Sequence, residues 1–207
     1  MITLSVKRVY GSTPQHVIFT STKNIAIMKR IALCLAASAS CIAAAAQAHG
    51  GTDEGKILVA YFSATGNTAY VAELIAAETG GDLYRITPVD TYTAADLDWR
   101  NRSSRSSVEM ADPSSRPAIM TDLKDADSYD TIYLGFPIWW DVAPHAVNTF
   151  LDHYGFEGKT VIPFATSGGS SIANSERELR RTYPEIKWQT GRLLNSASRQ
   201  KIDEWIE

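Results

Sequence analysis

Residues 56–78 read KILVAYFSATGNTAYVAELIAAE, and the fold turns on this stretch. It opens on an unbroken apolar run, Ile57–Leu58–Val59–Ala60–Tyr61–Phe62. A run that short, with no polar alternation, is the pattern of a strand buried on both faces. Six small or polar residues follow, Ser63–Ala64–Thr65–Gly66–Asn67–Thr68, after which Val71, Leu74 and Ile75 recur at helical spacing. Gly80–Gly81 then supplies a helix stop. A strand therefore feeds a hydroxyl-rich turn that opens a helix. Free N–H groups and the dipole of a helix N-terminus attract anions. Ser63, Thr65 and Thr68 add hydroxyl donors, and Gly66 lets the backbone close in. The turn holds no Lys or Arg, so the Gly-Lys-Ser/Thr signature of a nucleotide-binding P-loop is absent. It reads either as an anion site or as a capped connection that binds nothing.

Working outward, further strands are expected at Asp82–Ile86, Thr131–Phe136, Thr160–Ala165 and Ile186–Gln189. Helical patterns alternate with them. Val147, Phe150, Leu151 and Tyr154 form one stripe, with Pro144 at its first turn and Gly155 as its stop. Ser175-x-x-Glu178 reads as a capping box before Leu179. Ile202, Trp205 and Ile206 close an amphipathic last helix. Alternating strands and helices define a parallel α/β domain over 49–207. The span from Pro88 to Ser128 is long for a connection. It is expected to hold a helix near Ala94–Met110 and an extended return from Arg116–Pro117. Arg100, Arg102 and Arg105 in it read as a solvated face or as contacts to an acidic ligand.

Two more loops carry chemistry. Pro137–Ile138–Trp139–Trp140 follows the third strand, and two adjacent indoles offer flat apolar faces for a planar ring, or else serve the core or a partner interface. Thr166–Ser167–Gly168–Gly169 follows the fourth strand, where paired glycines expose backbone N–H and C=O groups, or form a plain turn. In a doubly wound sheet these loops and the 63–68 turn meet at one crevice.

Ser63–Ala64–Thr65–Gly66–Asn67–Thr68 resembles the Ser/Thr-x-Thr-Gly-x-Thr phosphate turn of flavodoxin-like proteins. With GFPIWW at 135–140, GKTVIPFATSGGS at 158–170 and Trp205 in a terminal helix, the resemblance covers nearly all of 56–206 and is similar to an exported bacterial flavodoxin subfamily. It implies a five-stranded parallel sheet of order 2-1-3-4-5 with helices on both faces. It also implies FMN as cofactor, and electron transfer or flavin-dependent reduction as the activity. In that resemblance Ser63, Ala64, Thr65, Gly66, Asn67 and Thr68 hold the phosphate. Pro137, Ile138, Trp139 and Trp140 flank the ring, and Thr166, Ser167, Gly168 and Gly169 meet its edge. One departure is that no glycine lies between Trp139 and Pro144, where electron-carrier flavodoxins have a flipping glycine peptide. That argues against a strict one-electron carrier. The other reading is a flavin-free module of the same fold, because fold does not fix function.

Upstream, Met28–Lys29–Arg30 precedes the apolar, alanine-rich Ile31–Ala46, and Ala46–Gln47–Ala48 gives small residues before His49. This is a secretory signal pattern, with cleavage expected before His49 and Met28 as the expected start. Export to a bacterial periplasm follows as an expectation, with no membrane span in the mature chain. Cys34 and Cys41 both fall in the signal, so residues 49–207 hold no disulfide or thiol redox pair. Any electron chemistry there needs a cofactor. The 49–207 region carries 15 basic against 23 acidic residues, a net of −8, which disfavours nucleic acid and anionic membrane. A redox partner protein or a small-molecule acceptor is the expected partner. No His/Asp/Ser arrangement or metal-ligand spacing is evident.

Overall fold

The computed structural model describes residues 55–206. The expected extension and signal, residues 1–48, lie outside them. β1 (Lys56–Tyr61), β2 (Asp82–Arg85), β3 (Tyr129–Pro137), β4 (Thr160–Thr166), β5 (Lys187–Trp188) and β6 (Arg192–Leu193) form one sheet. The order is β2-β1-β3-β4-β5, with β6 also paired to β4, and every pairing is parallel. The doubly wound order expected from the sequence is therefore present, with a sixth short strand added.

The added strand has a local cause. β4 carries Pro163, which has no N–H to give to a ladder. The outer chain bonds β4 on either side of it, through Gln189 N–H to the Val161 carbonyl (2.9 Å) and Leu194 N–H to the Ala165 carbonyl (2.8 Å). Opposite Pro163 the outer chain is interrupted, so one edge strand becomes two.

Side chains alternate across the sheet, as a pleated strand requires. Leu58, Ala60 and Phe62 face one side, Val59 and Tyr61 the other. The second side is covered by α1 (Asn67–Thr79), through Val71, Ala72 and Ile75, and by α5 (Arg199–Ile206), through Ile202. The Trp205 ring of α5 meets Tyr133 of β3 edge-on at 5.7 Å. The first side is covered by α3 (His145–Tyr154), through Val147, Phe150 and Leu151, and by α4 (Ala173–Thr182), through Leu179. Both faces are thus dry, which is why β1 tolerates a continuous apolar run.

The crossover from 88 to 128 differs from the long helix expected there. Its one α-helix is α2 (Arg105–Ala111), capped by the Ser104 side chain, which accepts from the Ser107 N–H, and a 3-10 turn at Ala126–Ser128 ends the crossover. Residues 94–103 are turns. They are shaped by short polar side chains that bond their own backbone, as Asp96 does with Thr93 and Asp98 with Arg100. The extended return is present: Val89 N–H bonds the Ala118 carbonyl (2.9 Å) and Met120 N–H the Thr87 carbonyl (2.8 Å), pinning both ends of the excursion. The expected capping box at Ser175 is also displaced. α4 starts at Ala173, so Ser175 sits inside the helix, fully buried, with its hydroxyl turned to the Asp141 carbonyl.

At the sheet centre, Gly135 of β3 pairs with Phe164 of β4, and a Cβ at Gly135 would run into the Phe164 ring. Gly135→Ala is expected to destabilise the domain by about 1–3 kcal/mol through overpacking, read as a lower urea midpoint at unchanged m-value.

Candidate functional site

Parallel strands deliver their C-terminal ends to one edge of the sheet. The loops after β1, β3 and β4 and the chain after β6 enclose an open crevice of about 630 Å³ at that edge. Thr65, Gly66 and Asn67 line it from the first loop, Pro137, Ile138 and Trp139 from the second, and Thr166, Ser167 and Gly168 from the third. Sequence reasoning expected all nine. The structure adds Tyr70 and Val71 of α1 and Leu194 to Ala197. No sequence signal pointed to the 194–197 segment. It is placed by β6, and Asn195 Oδ1 accepts the Ser167 N–H at 2.7 Å, tying it to the third loop.

The first loop is built as an anion cradle. Gly66 is the N-cap of α1 at φ 92°, a left-handed conformation that favours glycine, and no side chain caps the helix. The first N–H groups of α1 are therefore without intrahelical partners. Ser63 is buried, and its hydroxyl oxygen accepts the Gly66 N–H at 3.2 Å, so it shapes the turn from behind. Arg85, at the end of β2, donates to the Ser63 carbonyl at 3.3 Å and brings a positive charge behind the turn. Its place in the sequence gave no hint of this.

Five residues assigned to the site from sequence do not line the crevice. Ser63 and Ala64 lie behind the turn. Thr68 is buried, and its hydroxyl shares a 2.8 Å hydrogen bond with that of Thr166, joining α1 to β4 across 98 residues. That bond holds the Thr68 hydroxyl inside the protein. Gly169 donates its N–H to the Ser167 hydroxyl oxygen at 3.1 Å. Trp140, expected to flank a ring beside Trp139, turns out of the crevice.

The second loop explains that divergence. Trp139 and Val142 exchange two backbone hydrogen bonds of 3.0 Å around Trp140 (φ 47°) and Asp141 (φ 68°). This is a two-residue turn with both central residues at positive φ, the type usually made with glycine or asparagine. The Asp141 carbonyl is held at 3.2 Å by both Asn174 Nδ2 and Ser175 Oγ. Asp141 does not cap α3, whose N-cap is Pro144. Trp139 is fixed from the other side, edge-on to Phe62 (5.5 Å) and to Tyr92 (5.3 Å). The Tyr92 hydroxyl donates to Glu109 at 2.5 Å, and burial, with Glu109 beside it, pushes its pKa up. Tyr92 thus stays protonated and keeps that bond.

In the third loop, a Cβ at Gly168 or Gly169 would meet nothing within 4 Å, and neither glycine has positive φ. The protein's own packing does not demand glycine here. Gly168 faces the crevice, where a side chain would occupy space open to a ligand. Among the described residues, no helix is long and apolar enough to cross a membrane, and no group of three metal-ligating side chains occurs.

A crevice at the strand ends of a doubly wound sheet, with uncapped helix N–H groups beside an aromatic wall, is where ligands bind in folds of this class. The flavodoxin family model matches residues 56–207, and the chain belongs to that family. It is 56% identical to a candidate flavoprotein from Bacteroides eggerthii, covering 74% of this chain and 96% of that one, at a TM-score of 0.72. It is 59% identical to a second, from Bacteroides uniformis, over 73% and 97% of the two chains, also at 0.72. A flavoprotein from Lactobacillus acidophilus, solved in complex with FMN, shares the fold at 22% identity, over 74% and 99%, with a TM-score of 0.60. No functionally curated protein matches the chain.

One buried ionisable group adjoins the second loop. His145, the first residue of α3, is 9% exposed, and its Nδ1 has no hydrogen-bond partner among the described residues. Burial lowers its pKa from 6.5, Arg116 lowers it further, and Glu109 and Asp112 oppose them. Because the folded value is depressed, the unfolded chain binds the proton first. Stability from this group is then complete above about pH 6.5 and is lost as pH falls through the folded value. The urea midpoint is expected to drop between about pH 7.5 and about pH 5.5, and His145→Gln should flatten that dependence.

Proposed function

We propose that this chain is an exported flavoprotein that binds FMN in the strand-end crevice and works as a flavin-dependent reductase. The observation that carries the reading is the convergence in one crevice of the uncapped α1 N-terminus, the fixed Trp139 and the open space before Gly168. Each suits a different part of the same molecule. The α1 N–H groups, with the Thr65 hydroxyl and Asn67, hold the phosphate. Ile138 and Trp139 give the ring a flat wall. Thr166 to Gly168 supply backbone groups to its polar edge. Family membership and the FMN complex of the Lactobacillus relative support this assignment.

Bound flavin supplies reversible electron chemistry that no side chain of residues 49–207 can provide. The residues of the chain anchor, orient and exclude water. Reduction is favoured over single-electron shuttling by the second loop: with the Asp141 carbonyl held by two donors and Trp139 bonded twice to Val142, its peptides have little freedom to rearrange. Export rests on the sequence of residues 28–48, and the electrons pass to a redox partner protein or a small-molecule acceptor.

Purified protein is expected to be yellow or to bind added FMN, and a colourless preparation that takes up no FMN would favour the flavin-free module. Thr65→Ala removes a charge-assisted donor worth about 1.5–3 kcal/mol, so FMN affinity should fall about tenfold to a hundredfold. Riboflavin, which lacks the phosphate, should bind as before, and equal losses for the two ligands would overturn the assignment of the turn. N-terminal sequencing of the exported protein should begin at His49.

A further inference from the structure

We propose that the groove between Trp99 and Trp140 binds an uncharged quinone, placed against the flavin crevice as the acceptor of its electrons. The groove encloses about 270 Å³ and is lined by Leu97, Trp99, Ser106, Ile138, Trp139 and Trp140. Ile138 and Trp139 also line the crevice, so occupants of the two spaces share a wall. The purpose of the groove rests on the FMN reading, but its walls belong to the chain.

Its chemistry is specific. Trp99 is 67% exposed and Trp140 47%, which leaves two large indoles in water at a cost in hydrophobic free energy. Trp140 is held there at φ 47°, a conformation disfavoured for a bulky residue, and such strain collects at functional sites. No acidic or basic side chain lines the groove, and Ser106 already donates its hydroxyl to the Asp96 carbonyl at 2.5 Å. Arg100 lies over the Trp99 ring at 5.2 Å, outside the lining. A charged nucleotide would find no counter-charge in this lining, and the volume lies just below the roughly 300 Å³ where pockets for drug-sized ligands begin. Each indole of Trp99, Trp139 and Trp140 carries one N–H donor and no acceptor. Flat apolar walls with donors and no free cation fit a flat, uncharged ring bearing acceptor oxygens. A quinone has that chemistry. A quinone held there would accept two electrons and two protons and leave as the hydroquinone, and the two-electron-reduced flavin that supplied them would return to its oxidised form.

The test is titration of the full mature chain with menadione, with and without saturating FMN, followed by calorimetry and tryptophan fluorescence. Saturable binding is expected in both conditions. Trp99→Ala, a change at an exposed side chain outside the core, should weaken menadione at least tenfold and leave FMN affinity within twofold, while Trp99→Phe, which keeps a flat face, should recover most of the binding. Absence of saturable binding, or equal binding by Trp99→Ala, would overturn the proposal. So would displacement of menadione by FMN, which puts the quinone in the crevice, or loss of FMN affinity in Trp99→Ala, which extends the flavin into the groove. A chain that binds menadione through Trp99 yet takes up no FMN would support the groove and sink the FMN reading.

Discussion

The parallel alignment of β1, β3 and β4 is the constraint on which the site depends. Tyr61 pairs with Gly135, Gly135 with Phe164, and Pro137 with Thr166, so the three strands end nearly level on one edge. Parallel strands with helices between them put all their following loops on that edge. The Thr68–Thr166 hydrogen bond then locks the first loop to the third. A buried hydroxyl pair satisfies its own polar atoms and leaves the α1 N-terminus open, which is how the cradle remains available without a charged side chain inside it.

The aromatic wall depends on a different part of the chain. Trp139 is set by Phe62 and Tyr92, and Tyr92 by Glu109 and by the Arg105 guanidinium, 4.1 Å from its ring centroid. Arg105 and Glu109 are themselves paired at 2.7 Å, one turn apart on α2. The crossover from 88 to 128, irregular as it is, thus acts as a buttress: a short helix presents an ion pair that holds a tyrosine, which holds the tryptophan. Irregular backbone over a rigid sheet is where binding residues are commonly carried.

Charge follows the same division. Residues 49–207 carry a net −8, yet the crevice lining contains neither acid nor base. An anion there meets neutral donors and the helix dipole, with Arg85 one layer behind the turn. The acidic surplus lies on the outside, where net charge favours solubility.

The local patterns were legible in the sequence because they record local physics. The apolar run at 57–62 specifies a strand buried on both faces. The 63–68 turn and Gly80 bracket a helix, and Gly155 ends another. Alternation of such elements fixes a doubly wound sheet, and with it the edge where the loops gather. Contacts between segments distant in sequence were not legible. The bond that Thr68 makes could not be read locally because its partner, Thr166, is 98 residues away. Ser175 looked like a cap because the carbonyl that claims it belongs to Asp141. Trp139 and Trp140 are adjacent and chemically identical, and only the left-handed turn at Trp140 and Asp141 leaves Trp139 lining the crevice while Trp140 lines only the groove beside it. The sequence by itself determined which elements form and which edge carries the site. The tertiary structure decided which side chains reach that edge, because a side chain's direction depends on backbone torsions and on partners that local sequence does not encode.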